Sequence, residues 1–399
     1  MGCSRPTKIA FLLGSGVSIP AEMPSMRDIT ERVLSGKGIM RHTDENYYFG
    51  RPLYANAGLP DEYVPRVVKF LNSLKAEINQ YHLNEADRLT NYEDLYYVSS
   101  QIHDSELREY DNPVVQAFID KIRPEIEPLL AGEENEIRQR WQPHKLADEA
   151  TNYIHCVVWH MLCKRPSRSD QLVCIKDACQ DPLVAKADIF TLNHDTLVEN
   201  YLSENQVDFC DGFGKPINEV RYWQPDSFDQ ASLKVELIKL HGSVNWFQFM
   251  PDHGNLFYRI GIPLTRDIDH TKGPDGKGQS TIDGRPMLLI GTFNKMLRYT
   301  IGMFTHLYCE FYRGLLQTSG LVICGYGFGD KSINARISEW IDYSAQHRAV
   351  VIDPDSFGLR QRARGEIAKH WCDWEQKGKL VVIPKGVEKA AWREIRESL

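Results

Sequence analysis

Hydrophobic residues along this chain follow two patterns, and the change between them divides it. Lys8-Ile9-Ala10-Phe11-Leu12-Leu13 is a short apolar run, and runs rich in Ile, Val and Leu recur at Ala187 to Leu192 and Val235 to Leu240. Runs without alternation are what strands covered on both faces require. Further runs at Met287 to Gly291, Leu321 to Gly325, Ala349 to Asp353 and Leu380 to Ile383 alternate with helical stretches such as Tyr299 to Gln317, which predicts a parallel sheet. Between these regions the spacing becomes helical: Val64, Val67, Val68, Leu71, Leu74, Ile78 and Tyr81, then Val115, Phe118, Ile119, Ile122 and Ile126, then Ala147, Ala150, Ile154, Val157 and Met161. The chain therefore reads as α/β, a doubly wound parallel sheet built from residues 1–34 and 183–399 with a large helical insertion over residues 35–182. Thr265 to Arg285, crowded with Gly, Asp, Lys and Pro, reads as a long loop where a lid would be useful.

Polar groups directly after buried strands mark a site. Thr191-Leu192-Asn193-His194-Asp195 and Lys239-Leu240-His241-Gly242-Ser243 each follow such a run, and the ligand crevice of an open α/β sheet lies beyond the carboxyl ends of its strands. Taken singly, Asn193 reads equally as a helix cap and His241 as the donor of one backbone hydrogen bond. A third strand end, Gly14-Ser15-Gly16-Val17-Ser18, is a small-residue turn read as leading into a helix through Val33. Such a turn lets backbone N–H groups approach a pyrophosphate at a helix N-terminus. Ile19 and Pro20 stand where a dehydrogenase fingerprint needs its third glycine, and no Gly-Lys-Ser/Thr follows. Hydride transfer is disfavoured and a P-loop excluded.

Composition narrows the class without naming the chemistry. The 399 residues are 42% apolar and 25% charged, ordinary for a globular chain of two or three domain-sized units. A net charge of −7 makes direct nucleic-acid binding an unlikely use of the surface as a whole. Nine cysteines include no Cys-x-x-Cys pair, so no metal is expected, and their number fits a reducing cytosol. The same reading places the protein in the cytoplasm: no apolar run is long enough for a membrane span, and the N-terminus lacks a signal peptide's regions. Met1-Gly2-Cys3-Ser4-Arg5-Pro6 hints at acylation, but Pro6 occupies the usual Ser/Thr position. His155 and His160 read as core or surface residues of the last insertion helix.

In order along the chain, these motifs resemble the sirtuin superfamily of NAD-consuming proteins. The matching pieces are Gly14-Ser15-Gly16-Val17-Ser18 with Pro24 downstream, the segments around Asn193 and His241, and Arg285-Pro286-Met287-Leu288-Leu289-Ile290-Gly291. Gly325-Tyr326-Gly327-Phe328-Gly329-Asp330, with Asn334 beyond it, is similar to the version in bacterial sirtuin-like defence proteins. Read alone, that segment is equally a strand-to-helix turn. The resemblance covers residues 6–34 and about 185–355 and implies a Rossmann-like sheet. Asn91-Tyr92-Glu93-Asp94-Leu95 resembles an Asn-aromatic-Glu-Asp segment common in the same relatives; holding the insertion against the nucleotide domain and an ordinary helix start are equally good accounts of it.

The departures from the family pattern matter as much. Protein-deacylating members carry a four-cysteine zinc module between the strand ending in the catalytic His and the next core strand, and residues 247–285 here contain no cysteine. Leu192 stands where many deacylases have Gln, and His194 where they have Ile; His194 is expected to face solvent or pack on the sheet. The resemblance implies an NAD hydrolase that takes NAD as its substrate. His241 would be the base and Asn193 the residue holding the attacking water or hydroxyl. Asp195 would lie near the nicotinamide carboxamide, Gly14, Ser15, Gly16 and Ser18 at the pyrophosphate, and Gly325 and Asp330 at the adenosine half. It also implies an anti-phage role by NAD depletion. Control would come from homo-oligomerisation or from a separate defence partner, such as a HerA-type ATPase or an Argonaute-like protein. The rival readings are an NAD- or ADP-ribose-sensing binding module and a zinc-free protein deacylase or ADP-ribosyltransferase.

Overall fold

In the computed structural model, which describes residues 7–50, 62–82, 88–109, 113–130, 142–230, 233–250, 258–265, 267–268, 270–291 and 294–399, the apolar runs become the middle of one sheet. The Met1-Gly2-Cys3 segment lies outside the described residues. Two compact units emerge. One comprises Met1–Met23, Arg165–Leu289 and Met296–Leu399, the other Pro24–Lys164 and Ile290–Lys295.

The main strands of the first unit are β1 (Thr7–Leu13), β2 (Val184–Thr191), β3 (Phe209–Cys210), β4 (Val220–Tyr222), β5 (Val235–Lys239), β6 (Gly242–Phe249), β7 (Arg259–Pro263), β8 (Thr281–Leu288), β9 (Gly320–Cys324), β10 (Arg348–Ile352) and β11 (Leu380–Ile383). Seven pair in parallel in the order β11-β10-β9-β1-β2-β5-β3. The order reverses at β1: the chain runs outward through β2 and β5 on one side and through β9, β10 and β11 on the other. The gap between β1 and β9 is thus the topological switch point, where open α/β sheets form their crevice.

Both faces of this sheet are covered, which explains the unbroken apolar runs. Ala10, Leu12, Phe190, Ile238, Leu321, Ile323 and Val351 share a core with Leu307, Phe311 and Leu315 of the helix Gly302–Gln317 and with Ile333, Ile337 and Trp340 of the helix Lys331–Tyr343. On β1 the alternate residue Phe11 meets Trp392, ring centroids 6.2 Å apart. Each large side chain so buried contributes roughly 1.5–3 kcal/mol.

Three expectations are corrected here. Met287 and Leu288 do not join the parallel sheet; they end β8, which pairs antiparallel with β6 in a second sheet of order β8-β6-β7-β4. A short apolar run has the same local pattern in either sheet, and only its partner decides. The stretch Thr265 to Arg285 is not one long loop either, since Thr271–Lys272 pairs with Gly278–Gln279 and β8 begins at Thr281. Gly273, Asp275 and Gly276 form the hairpin's tight turn. Finally, the glycine turn after β1 does not run straight into a helix. It passes through two 3-10 turns, Ser15–Val17 and Ile19–Ala21, and the helix Met26–Ser35 begins only afterwards, behind a Ser25–Asp28 capping box. Pro20, in the first positions of the second turn, cannot donate the N–H that a continuing helix needs.

The second unit is helical, with Tyr63–Tyr81, Tyr92–Glu106, Pro113–Leu130 and Pro143–Leu162 as its long helices. Val67, Leu71, Leu74, Ile119, Ile122, Ile126, Ala147, Ala150, Ile154 and Val157 are buried, so most of the helical spacing read from sequence is the packing stripe, while Val68, Val115, Phe118 and Met161 are half-buried and Tyr81 is exposed. The unit takes in Met26–Ser35 because Tyr153 OH donates to Val33 O at 2.9 Å and Tyr92 N–H to Thr30 Oγ1 at 3.0 Å. Its edges at residues 24 and 164 therefore differ from the sequence-read limits of 35 and 182. Asn91 and Asp94 form a capping box at the start of Tyr92–Glu106, and Glu93 in that first turn pairs with buried Lys295 at 2.9 Å. His160, in the last of these helices, meets Tyr47 O at 3.0 Å through Nε2, and burial lowers its pKa.

Candidate functional site

Four strand ends come level at the carboxyl edge of the parallel sheet. Leu13 pairs with Thr191 on one side and Cys324 on the other, and Thr191 pairs with Lys239. Asn193 and His241 therefore stand two residues beyond paired positions of neighbouring strands, and Gly14 and Gly325 one residue beyond another pair.

At the switch point the two glycine turns touch through their backbones. Gly14 N–H donates to Cys324 O at 3.0 Å and Gly16 N–H to Gly325 O at 2.9 Å. A Cβ on Gly14 would lie 2.5 Å from Gly325 O, and one on Gly16 2.6 Å from Gly325 Cα. Gly325 itself has φ +61°, which disfavours any side chain. These glycines thus allow the β1 and β9 loops to close on each other. Ser15 is exposed beside them and Gly16 half-buried.

Below this contact lies a buried polar cluster. Asn193 Nδ2 donates to Gly14 O at 3.0 Å and to Ser18 Oγ at 3.1 Å, and Ser18 Oγ donates to Asp195 Oδ2 at 2.8 Å. Asp195 Oδ1 accepts from Leu197 N–H at 3.0 Å, starting the short helix Leu197–Glu204. Lys239, buried at the end of β5, donates to the carbonyl of Asp195 and pairs with Glu199 at 2.9 Å. Burial pushes the Glu199 carboxyl up, against the pull of Lys239. The segment from Asn193 to Glu199 is therefore held from three sides.

His241 occupies a tight turn between the two sheets. Its carbonyl accepts from Leu289 N–H at 2.8 Å, and Gly242 follows with φ +83°, where a Cβ would stand 2.0 Å from Met287 O. That glycine lets the chain pass from the last residues of β5 into β6. The His241 ring faces Asp330, Nε2 to Oδ2 3.2 Å, and Tyr299 OH donates to the same oxygen at 3.4 Å. Burial, with the Asp330 charge second, pushes the Tyr299 phenol well above its ordinary range, so it remains a donor. Asp330 Oδ1 caps the helix Lys331–Tyr343 by accepting from Ser332 and Ile333 N–H at 2.9 and 3.2 Å. His194 is buried rather than solvent-facing, its ring centroid 6.1 Å from that of His241. Its carbonyl accepts from Val244 N–H at 3.0 Å, which fastens it to β6.

The residues read from sequence thus form two adjoining groups: Gly14, Ser18, Asn193 and Asp195 in one, His241 and Asp330 in the other. Pro24 opens the second unit and joins neither. Sequence reading missed Tyr299, Lys239 and Glu199. Lys239 carried a signal, a lysine at the end of a mostly apolar strand, which demands a buried partner; Tyr299 carried none. Among the described residues no group of three or more His, Cys, Asp or Glu gathers as a metal site.

Fold and site together define a doubly wound α/β protein with a buried Asn and a buried His at adjacent strand ends beside the switch point. Residues 187–375 match the family model described as a SIR2-like domain. No curated protein matches it. Solved structures similar to it include a Sir2 homologue variant in complex with 2′-O-acetyl ADP-ribose (TM-score 0.37, 10% identity, 98% of this chain and 91% of that one). A Sir2 homologue in complex with NAD has the same TM-score of 0.37 and 10% identity, over 98% and 90% of the two chains. A structure on the basis of sirtuin substrate affinity gives 0.32 and 10%, over 98% and 93%.

Proposed function

We propose that this chain binds NAD at the switch point and hydrolyses its nicotinamide–ribose bond, giving nicotinamide and ADP-ribose. The observation that carries the reading is the burial of Asn193 and His241 at the same depth beyond paired strands β2 and β5. Expelling nicotinamide builds positive charge on the ribose, so the site must hold a nucleophile against an oxocarbenium-like carbon. In the proposed reaction water forms a bond to the ribose carbon while the glycosidic C–N bond breaks. The bonding pair leaves on the ring nitrogen, which becomes neutral nicotinamide. His241 accepts the proton from water or a ribose hydroxyl, a role worth about 10²–10⁴-fold. Asn193, its amide already fixed by Gly14 O and Ser18 Oγ, presents its remaining oxygen to that water. In this reading Asp195 lies near the carboxamide, and the exposed Ser15 edge of the turn meets the pyrophosphate.

The biological use proposed is NAD depletion in cytoplasm during phage infection, held off until self-assembly or a separate partner, such as a HerA-type ATPase, switches it on. Chromatography of NAD loss and nicotinamide release, across protein concentrations, tests the chemistry. Turnover that Asn193→Ala and His241→Ala each abolish in folded protein supports it. NAD binding with no turnover at any concentration would convert the reading to a sensor.

A further inference from the structure

We infer that Asp330 acts through His241, as the positioning residue that fixes its tautomer, rather than by reading a ribose hydroxyl of the nucleotide. The inference rests on the proposed hydrolase for its kinetic consequence, but its structural basis stands apart from it.

A carboxylate offers about four lone-pair sites, and those of Asp330 are all in use. Oδ1 accepts from the N–H groups of Ser332 and Ile333. Oδ2 faces His241 Nε2 at 3.2 Å and accepts from Tyr299 OH at 3.4 Å. The backbone is held as well: Asp330 N–H donates to Tyr326 OH at 3.1 Å, and Tyr326 OH donates to Asn334 Oδ1 at 2.8 Å. Asn334 Nδ2 in turn donates to Phe328 O at 2.8 Å. Asp330, His241 and Tyr299 are 7%, 4% and 4% exposed. A group so fixed cannot turn to a ribose without breaking a cap or giving up its contact with the His241 ring.

The consequence for His241 follows from imidazole chemistry. A carboxylate at Nε2 holds the proton there, so Nδ1 is the basic nitrogen of the neutral ring. When Nδ1 takes a proton during the reaction, Asp330 stabilises the imidazolium without itself being protonated, as a triad carboxylate does. Tyr299, donating to the same oxygen, keeps that carboxylate aimed at the ring and limits its charge. Sequence alone could not assign this, because Asp330 lies 89 residues from His241 and its spacing suits a helix cap equally well.

The test uses the full chain with Asp330→Asn and Asp330→Ser. Both residues still cap a helix N-terminus, so the Lys331–Tyr343 helix is kept while the carboxylate at His241 is lost. Two readouts are taken: NAD turnover with separately measured NAD affinity, and nitrogen NMR of selectively labelled histidines, with His241 assigned by its absence in His241→Gln. The expected result is kcat lowered by about 10²–10⁴-fold, NAD affinity within about threefold, and His241 ring nitrogens that leave the Nε2-protonated pattern. The acid limb of the pH–rate profile should also move to lower pH. Loss of NAD affinity with kcat retained, or ring nitrogens that do not change, overturns the inference. If the wild type shows no NAD turnover, the hydrolase reading fails, and the ring nitrogens alone decide the role of Asp330.

Discussion

Replacing Gly242 with Ala isolates what the turn behind His241 demands. Gly242 has φ +83°, and an added Cβ would stand 2.0 Å from the backbone oxygen of Met287, which cannot rotate away. Gly276 supplies the control. It has φ +82° but nothing within 4 Å of the same Cβ, so both glycines share the strain and only one has the collision. The left-handed conformation costs alanine roughly 1–2 kcal/mol at either position. At Gly242 the β6–β8 contact must also open, adding about 1–3 kcal/mol for overpacking. The His241 carbonyl bond to Leu289 N–H, 2.8 Å long, weakens with it, for roughly 0.5–1.5 kcal/mol. Gly242→Ala should therefore be destabilised by about 3–6 kcal/mol, and Gly276→Ala by about 1–2. Urea unfolding followed by tryptophan fluorescence reads the difference, with buried Trp246 on β6 as the local reporter. At a slope of about 3 kcal/mol/M, the two midpoints should differ by roughly 1 M. Equal midpoints would refute the reasoning, because they would mean that the β6–β8 pairing does not require close approach at Gly242.

Two further outcomes test the buried charges. Asp188 sits beside Glu236 on β5 and 3.5 Å from Lys186, and burial pushes its carboxyl up to about 6 despite that lysine. Because the folded state holds this proton more tightly than the unfolded chain, its stabilisation is full below about pH 4 and fades as pH rises through about 6. Asp188→Asn should accordingly gain stability over wild type at pH 8, by up to about 3 kcal/mol, and the gain should shrink on acidification; parallel pH–stability curves would exclude the effect. Lys239→Met strands Glu199 in the interior and should cost about 3–5 kcal/mol, with Lys239→Met/Glu199→Gln recovering most of it. A double variant as unstable as the single one in thermal unfolding would show that Lys239 acts mainly through the Asp195 carbonyl.

The sequence by itself determined six of the seven parallel strands and the two polar residues beyond the ends of two of them. Strands covered on both faces are mostly apolar, so β1, β2, β5, β9, β10 and β11 were visible as runs despite the buried charges Asp188, Glu236 and Lys239 within them, and Asn193 and His241 as polar residues at their ends. The helical unit was legible for the same reason, since a stripe at helical spacing is the packing surface. The antiparallel sheet was not legible. Strands such as β6 and β8 take their character from cross-strand partners, and the Met287–Leu288 end of β8 looks locally like any buried strand. Nor did local pattern reveal why Gly14 and Gly16 are glycines, because the reason is the backbone of Gly325, more than 300 residues away in the chain. The meeting of Asp330, Tyr299 and His241, like that of Lys239 with Glu199, was likewise decided by strand order. Periodicity records which face of an element is buried; which other element lies against that face depends on crossovers that bring distant segments together, and on these the local sequence is silent.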